Sequence, residues 1–245
     1  MTQAQAAQIL DFDDTTVPCI PCFISALELV VNDKPFLALT AAMLRIGAAS
    51  VMQVIKILPP TMTTLRLFVE YDVEIRTLID KIFYGIPSLE ELQIYVNRPR
   101  HSHPYTLSPF LSVPRTLKIF HFEDSLPLHY SEVDLETFLH MHPHLTSLRL
   151  NPYPSVEVQP AELPSMACLD VLSRQSSHTL VEFGALLQLD ECIPPRNDGL
   201  SPSGLQVLDL GQSQLMSDST HHDPMRHLQK LFPKARICSS PAAGS

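Results

Sequence analysis

The sequence predicts an α/β solenoid, a curved parallel sheet carrying helices on its outer side, and three observations lead there. Short L-x-x-L-x-L frames recur: Met62-T-T-Leu65-R-Leu67, Leu89-E-E-Leu92-Q-Ile94, Leu117-K-I-Phe120-H-Phe122 and Leu145-T-S-Leu148-R-Leu150, with middle positions stepping by 27, 28 and 28 residues. Helical patterns fill the intervals between them. The 245-residue chain also holds 36 Leu and 22 Pro against only 7 Gly. A unit of one strand and one helix cannot bury its own apolar face, and stacking such units builds a continuous core.

The elements follow in order. An early frame, Ile24-S-A-Leu27-E-Leu29, precedes the most apolar stretch, Phe36 to Leu58. Arg45, Gln53 and Lys56 interrupt that stretch, so it reads as a buried or amphipathic helix and not as a membrane span. Asp72 is expected to start a helix bearing Val73, Leu78, Ile79, Ile82 and Phe83. Ser131 and Asp134 form a capping box ahead of Leu135, Phe138 and Leu139. A further helix is expected from near Ser165, with Met166, Leu169 and Leu172 turned inward. The interval between Leu148 and Leu208, the latter in Leu205-Q-V-Leu208-D-Leu210, is long enough for another unit, and Leu180-V-E-Phe183-G-Ala185 supplies a degraded frame. The last helix has Asp223 as N-cap and Pro224 at its first position, carries Met225, Leu228, Leu231 and Phe232 on one face, and stops at Pro233. Lys234-A-R-Ile237 is a closing strand.

Seven or eight units result, joined by Pro-rich connections at 97–114 and 151–164, where Pro interrupts no ladder. They describe a leucine-rich-repeat horseshoe of irregular repeats near 28 residues over 21–238, with 1–20 as an extension or partial cap and 239–245 as a flexible tail. A doubly wound α/β domain would need longer Val- and Ile-rich strands and Gly at its strand-to-helix turns.

Scarce Gly also bears on function. The chain has no G-x-G-x-x-G and no G-x-x-x-x-G-K, which excludes the nucleotide folds built on those loops. A net charge of -9 argues against nucleic acid as a partner. The N-terminus lacks a basic segment followed by an apolar run, and five Cys without regular spacing fit free thiols, so an intracellular protein, cytoplasmic or nuclear, is expected.

Side chains alternate along a strand, so the residues between the buried Leu positions form the concave face. One column reads Glu28, Arg66, Gln93, His121, Arg149, Gly184 and Asp209; its neighbour reads Phe68, Tyr95, Glu123 and Asn151. Mixed charge with central aromatics suits a protein-binding surface, because aromatics and Arg dominate interface energetics. The candidate partner-binding residues are therefore Arg66, Phe68, Gln93, Tyr95, His121, Glu123, Arg149, Asn151 and Asp209, with no catalytic residue, cofactor or metal.

Pro87-S-L-E-E-L-Q-I-Tyr95, His142-P-H-L-T-S-L-R-Leu150, Leu205-Q-V-L-D-Leu210 and Leu231-F-P-K-A-R-I-Cys238 resemble the irregular repeats of fungal F-box-type leucine-rich-repeat proteins. The resemblance covers residues 20 to 238. It implies a non-catalytic, substrate-recognising part of a ubiquitin-ligase receptor. No F-box is recognisable in the chain, so a Skp-type adaptor is expected only if an F-box is missing from it.

The enzyme alternative rests on Asp11-F-Asp13-D-Thr15, which matches the D-x-D-x-T signature of haloacid-dehalogenase-like phosphatases. That resemblance implies Asp11 as nucleophile, Asp13 as general acid and base, and Mg²⁺. It is one motif of that family's four, and no acidic pair of the G-D-x-x-x-D form follows. Cys19-I-P-Cys22 has the spacing of half a zinc site, without the second half. His140, His142 and His144 cluster, but Pro143 is expected to end their helix and split them.

Overall fold

A computed structural model describes residues 40–70, 73–99, 102–156, 163–174, 179–189, 204–213 and 224–239. Eight strands, β1 (Ala41–Gly47), β2 (Thr64–Glu70), β3 (Glu91–Asn97), β4 (Ile119–Asp124), β5 (Ser147–Leu150), β6 (Glu182–Ala185), β7 (Val207–Asp209) and β8 (Arg236–Cys238), form one sheet in chain order. All seven pairings are parallel, and they set Ala42, Leu65, Leu92, Phe120, Leu148, Phe183, Leu208 and Ile237 in one row. Among the described residues the sheet does not close on itself. The expectation of a parallel sheet with helices is met, and β6 and β8 lie where the degraded frame and the closing strand were expected.

Backbone hydrogen bonds fix where each strand begins. Two consecutive amides donate to a single carbonyl of the preceding unit: Thr63 and Thr64 to Thr40, Glu90 and Glu91 to Thr63, Lys118 and Ile119 to Glu90, Thr146 and Ser147 to Lys118. Val181 and Glu182 repeat this on Thr146, and Gln206 and Val207 on Val181. The strand entries therefore leave no donor orphaned, and each unit takes its offset from its neighbour.

Along β2 the side chains of Leu65, Leu67 and Val69 are buried while Thr64, Arg66, Phe68 and Glu70 are half-buried. The buried face packs under helices α1 (Ala48–Ile55), α2 (Ile75–Gly85), α3 (Glu132–Met141), α4 (Ala167–Arg174) and α5 (Pro224–Leu231) in one continuous core. Each fully buried Leu or Phe contributes about 1.5–3 kcal/mol. Between β3 and β4 a short 3-10 helix, Ser108–Ser112, stands where an α-helix would, and it seats Phe110 at 5.2 Å from the Phe120 ring and 4.8 Å from that of Phe122.

Capping chemistry explains the helix starts. Ser131 Oγ accepts from the Asp134 amide at 3.2 Å, and Asp134 Oδ2 accepts from the Ser131 amide at 2.9 Å, which is the expected box. For α2 the cap is Glu74 and not Asp72: its carboxylate accepts from the amides of Arg76 at 3.1 Å and Thr77 at 2.6 Å. The Thr77 side chain, and after it these two backbone bonds, lower the Glu74 carboxyl from its ordinary value. Ser165 Oγ accepts from the Ala167 amide at 3.1 Å just before α4. Asp72, Asp223 and the early frame at 24–29 lie outside the described residues, as do residues 1–20 and 240–245.

One element corrects the sequence reading. The stretch Phe36 to Leu58, expected as a single helix, contains strand β1 followed by helix α1. Ala42, Leu44 and Ile46 alternate into the core, and all seven residues of β1 pair with β2. A helix over Ala41–Gly47 would have left the edge of β2 without those partners.

Beyond β3 a buried ion pair pins the chain. Arg98 bonds both oxygens of Asp124, donates to the His103 carbonyl at 2.7 Å, and lies 3.6 Å from the centre of the Tyr105 ring. Cys168 is buried in α4, where burial pushes its thiol up to about 12 and makes it unreactive. No helix among the described residues is long and apolar enough to cross a membrane.

Candidate functional site

The sheet face turned away from the helices gathers side chains from every strand. The parallel register aligns Met43, Arg66, Gln93, His121, Arg149, Gly184, Asp209 and Cys238 in one row. A second row holds Arg45, Phe68, Tyr95 and Glu123. Seven of the column residues read from the sequence, Arg66, Phe68, Gln93, Tyr95, His121, Glu123 and Arg149, thus share this face, and Asp209 joins them from β7. Gln93 and Asp209 are 8% and 5% exposed, because neighbouring side chains fold over them.

Asn151 does not belong to this surface. It follows the last residue of β5 with φ at 53°, is 1% exposed, accepts from the Asp124 amide at 3.1 Å and donates to the Leu126 carbonyl at 2.5 Å. The strand has ended there, so its alternation no longer governs where the side chain goes. Asn tolerates the left-handed conformation better than most residues.

A third row, Glu91, Ile119, Ser147, Glu182, Val207 and Arg236, was missed by the sequence reading. Strand alternation could have found it, since each member stands two residues before a member of the first row. Tyr153, beyond β5, had no such signal.

These rows are wired together. Arg66 binds Glu91 through Nε at 3.1 Å and a terminal nitrogen at 2.8 Å, Gln93 Nε2 donates to the same oxygen at 2.9 Å, and the Tyr95 hydroxyl donates to Gln93 Oε1 at 3.0 Å. The Phe68 and Tyr95 rings stack with centres 4.5 Å apart and planes within 6°. Burial raises the Tyr95 hydroxyl, and the nearby Glu123 raises it further.

Arg149 occupies the middle of the face. It bonds Asp209 directly and stands 3.6 Å from Glu182 and 3.8 Å from Glu123. Asp209 also accepts from the Tyr153 hydroxyl at 2.8 Å and from the Gly211 amide at 3.0 Å. Burial raises the Glu123 carboxyl; Arg149 partly offsets this and Asp209 adds to it.

His121 Nε2 is 2.8 Å from Ser147 Oγ, and that hydroxyl donates to Glu182 Oε2 at 2.8 Å. With the hydroxyl proton engaged by Glu182, Nε2 carries the hydrogen that Oγ accepts. The ring is therefore not placed to deprotonate Ser147, and the acid sits on the hydroxyl, away from the second ring nitrogen. Burial, reinforced by Arg149, lowers the imidazole to about 4, so it is neutral at pH 7.

Asp11, Asp13, Thr15, Cys19, Cys22 and Glu28 lie outside the described residues. His142 is buried at the end of α3 while His140 and His144 are exposed. Among the described residues no group of three His, Cys, Asp or Glu is placed to hold a metal ion. The fold and this face define an α/β protein with an open, sequentially ordered parallel sheet; its side away from the helices, left uncovered by the described residues, carries a charged and aromatic network. No protein-family model matches the chain, and no curated protein matches it.

Proposed function

We propose that the chain is a non-catalytic protein-recognition module, built as an irregular leucine-rich-repeat horseshoe and binding its partner on the uncovered sheet face. The observation that carries this reading is the row from Arg66 through Gln93, His121 and Arg149 to Asp209, in which β2, β3, β4, β5 and β7 carry polar side chains in register on one face, with Gly184 of β6 between the last two. Repeat periodicity supports the horseshoe. Asn97 stands ninth in a frame that starts at Leu89, and Ser125 and Ser213 take the same place after Leu117 and Leu205, as L-x-x-L-x-L-x-x-N would have it. There Ser125 donates to Asn97 at 3.1 Å, and Ser213 accepts from the Leu187 amide at 2.9 Å.

The partner is a protein, and the reading extends to the substrate-binding part of an F-box-type ubiquitin-ligase receptor. A pull-down from native extract with the full chain and with the pair Phe68→Ala/Tyr95→Ala tests both parts. Recovery of a partner that the paired variant loses supports the face; equal recovery by both chains overturns it. Repeated recovery of that partner without a Skp or cullin component removes the ligase role.

A further inference from the structure

The charges of the uncovered face are unevenly distributed. On β1 to β3, Arg45 pairs with Glu70 at 2.8 Å and Arg66 with Glu91 at 2.8 Å, so that half is balanced. Across β4 to β7, Arg149 is the one cation among the described residues that Glu123, Glu182 and Asp209 face, since His121 is neutral at pH 7; Arg236 lies at the β8 edge, two strands from Glu182. Arg149 commits its hydrogen bond to Asp209, and its 3.6 and 3.8 Å separations from Glu182 and Glu123 are longer than hydrogen bonds. The Glu123 carboxylate, 24% exposed, receives no hydrogen bond within the described structure. A half-buried carboxylate in that state gains from a further donor. Beside it, one strand away, begins the Phe68–Tyr95 stack.

Resting on the protein-binding reading above, we infer that the face takes an extended basic segment of a partner protein, laid across the strands with an apolar residue on Phe68 and Tyr95 and a Lys or Arg against Glu123. The centre of the aromatic stack and Glu123 stand about one and a half strands apart in one row, roughly 7 Å. Extended chain covers that distance in about two residues, which also puts both side chains on the same side. The recognised pattern is therefore apolar-x-Lys/Arg. The cation is organic: the carboxylates are not grouped to hold a metal ion. A net charge of -9 steers basic partners toward the protein from a distance.

The test is selection of a random dodecapeptide phage library on the immobilised full chain, followed by synthesis of an enriched peptide and titration against the chain, Glu123→Gln/Glu182→Gln and Phe68→Ala/Tyr95→Ala. The expected result is enrichment of apolar-x-Lys/Arg, with binding weakened about tenfold by the paired glutamine substitution. Enriched peptides that depend on Phe68 and Tyr95 but lack a basic residue overturn this inference and leave the protein-binding reading intact. No enrichment, or peptides indifferent to both paired variants, overturns both. If the glutamine pair fails to fold, salt dependence of the unmodified chain decides: affinity that falls with added NaCl supports the ionic contact, and affinity that does not fall refutes it.

Discussion

Arg149 and Asp209 are 60 residues apart in the chain and two strands apart in the sheet, and they meet because the residue between them is Gly184. A Cβ on Gly184 would lie 3.3 Å from both Cγ and Nε of Arg149. The arginine lies across that bare backbone. Gly184→Val should therefore displace the guanidinium and cost about 1–3 kcal/mol, with the fold retained through the other bonds of Asp209. Urea unfolding measures the cost, and a Gly184→Val protein as stable as the parent would refute the role of the glycine.

Removing the cation itself has a pH signature. Arg149→Met leaves Glu123, Glu182 and Asp209 facing one another with no charge to offset them, which should cost about 2 kcal/mol at pH 7. Arg149 holds down the Glu123 carboxyl that burial raises, so without it that carboxyl rises further in the folded state and the folded variant takes up protons more readily than its unfolded chain. The deficit relative to the parent should shrink as pH falls from 7 to 5. Urea midpoints at both values test it, and a constant deficit would count against the carboxylate cluster.

Two histidines make the parent chain acid-sensitive. Burial lowers both His121 and His142 to about 4, below the ordinary value of 6.5. Between those values the unfolded state binds the proton first, so stability is fully present above pH 6.5 and is lost as pH falls towards 4. The loss should be about 1–3 kcal/mol for His142, and less for His121 on the more open face. Replacing His142 by Leu beside Phe138, whose ring centre is 4.5 Å away, should flatten the dependence. An unchanged slope would place the acid sensitivity elsewhere.

Backbone shape matters most at Gly211. Its φ is +53°, and an added Cβ would fall 1.7 Å from the Pro152 carbonyl oxygen, which also accepts from the Gln212 amide at 3.0 Å. Gly211→Ala should cost at least about 2 kcal/mol. At Gly204, where a Cβ meets nothing within 4 Å, the same change should stay within about 0.5 kcal/mol. Thermal unfolding of the two variants side by side provides the comparison.

Phe110 stands in for a helix, and its loss should behave as a core deletion. It is fully buried against Phe120 and Phe122 although it belongs to a five-residue 3-10 turn. Phe110→Ala should cost about 3–5 kcal/mol by urea unfolding. A cost below 1 kcal/mol would mean that the connection does not seal the core.

The sheet was legible in the sequence wherever apolar residues kept a strict frame. Leu65, Leu92, Phe120 and Leu148 sit at near-constant steps, and strand alternation then placed Arg66, Gln93, His121 and Arg149 together. β1 was hidden because Leu44 and Ile46 stand in a long, mostly apolar stretch, whose interruptions at Arg45, Gln53 and Lys56 also fit an amphipathic helix. The cap at Glu74 was obscured by Asp72, a more usual capping residue two positions earlier. Asn151 misled because strand alternation was carried one residue past Leu150, into the Pro-rich connection at 151–164 that Pro152 opens. The burial of Gln93 and Asp209 depends on how far Tyr95 and Arg149 reach, a three-dimensional quantity with no periodic trace.

The shared carbonyls of Thr40, Thr63, Glu90, Lys118, Thr146 and Val181 bear on how such a chain can change length over evolutionary time. Each strand is anchored to the strand before it, so the intervening segment is free to lengthen without moving the anchor. The chain already displays that freedom: aligned positions are separated by 23 residues from Ala42 to Leu65 and by 35 from Leu148 to Phe183. Insertions between strands would thus be absorbed on the outer side, leaving the lattice of side chains on the uncovered face unshifted while single residues in it are exchanged.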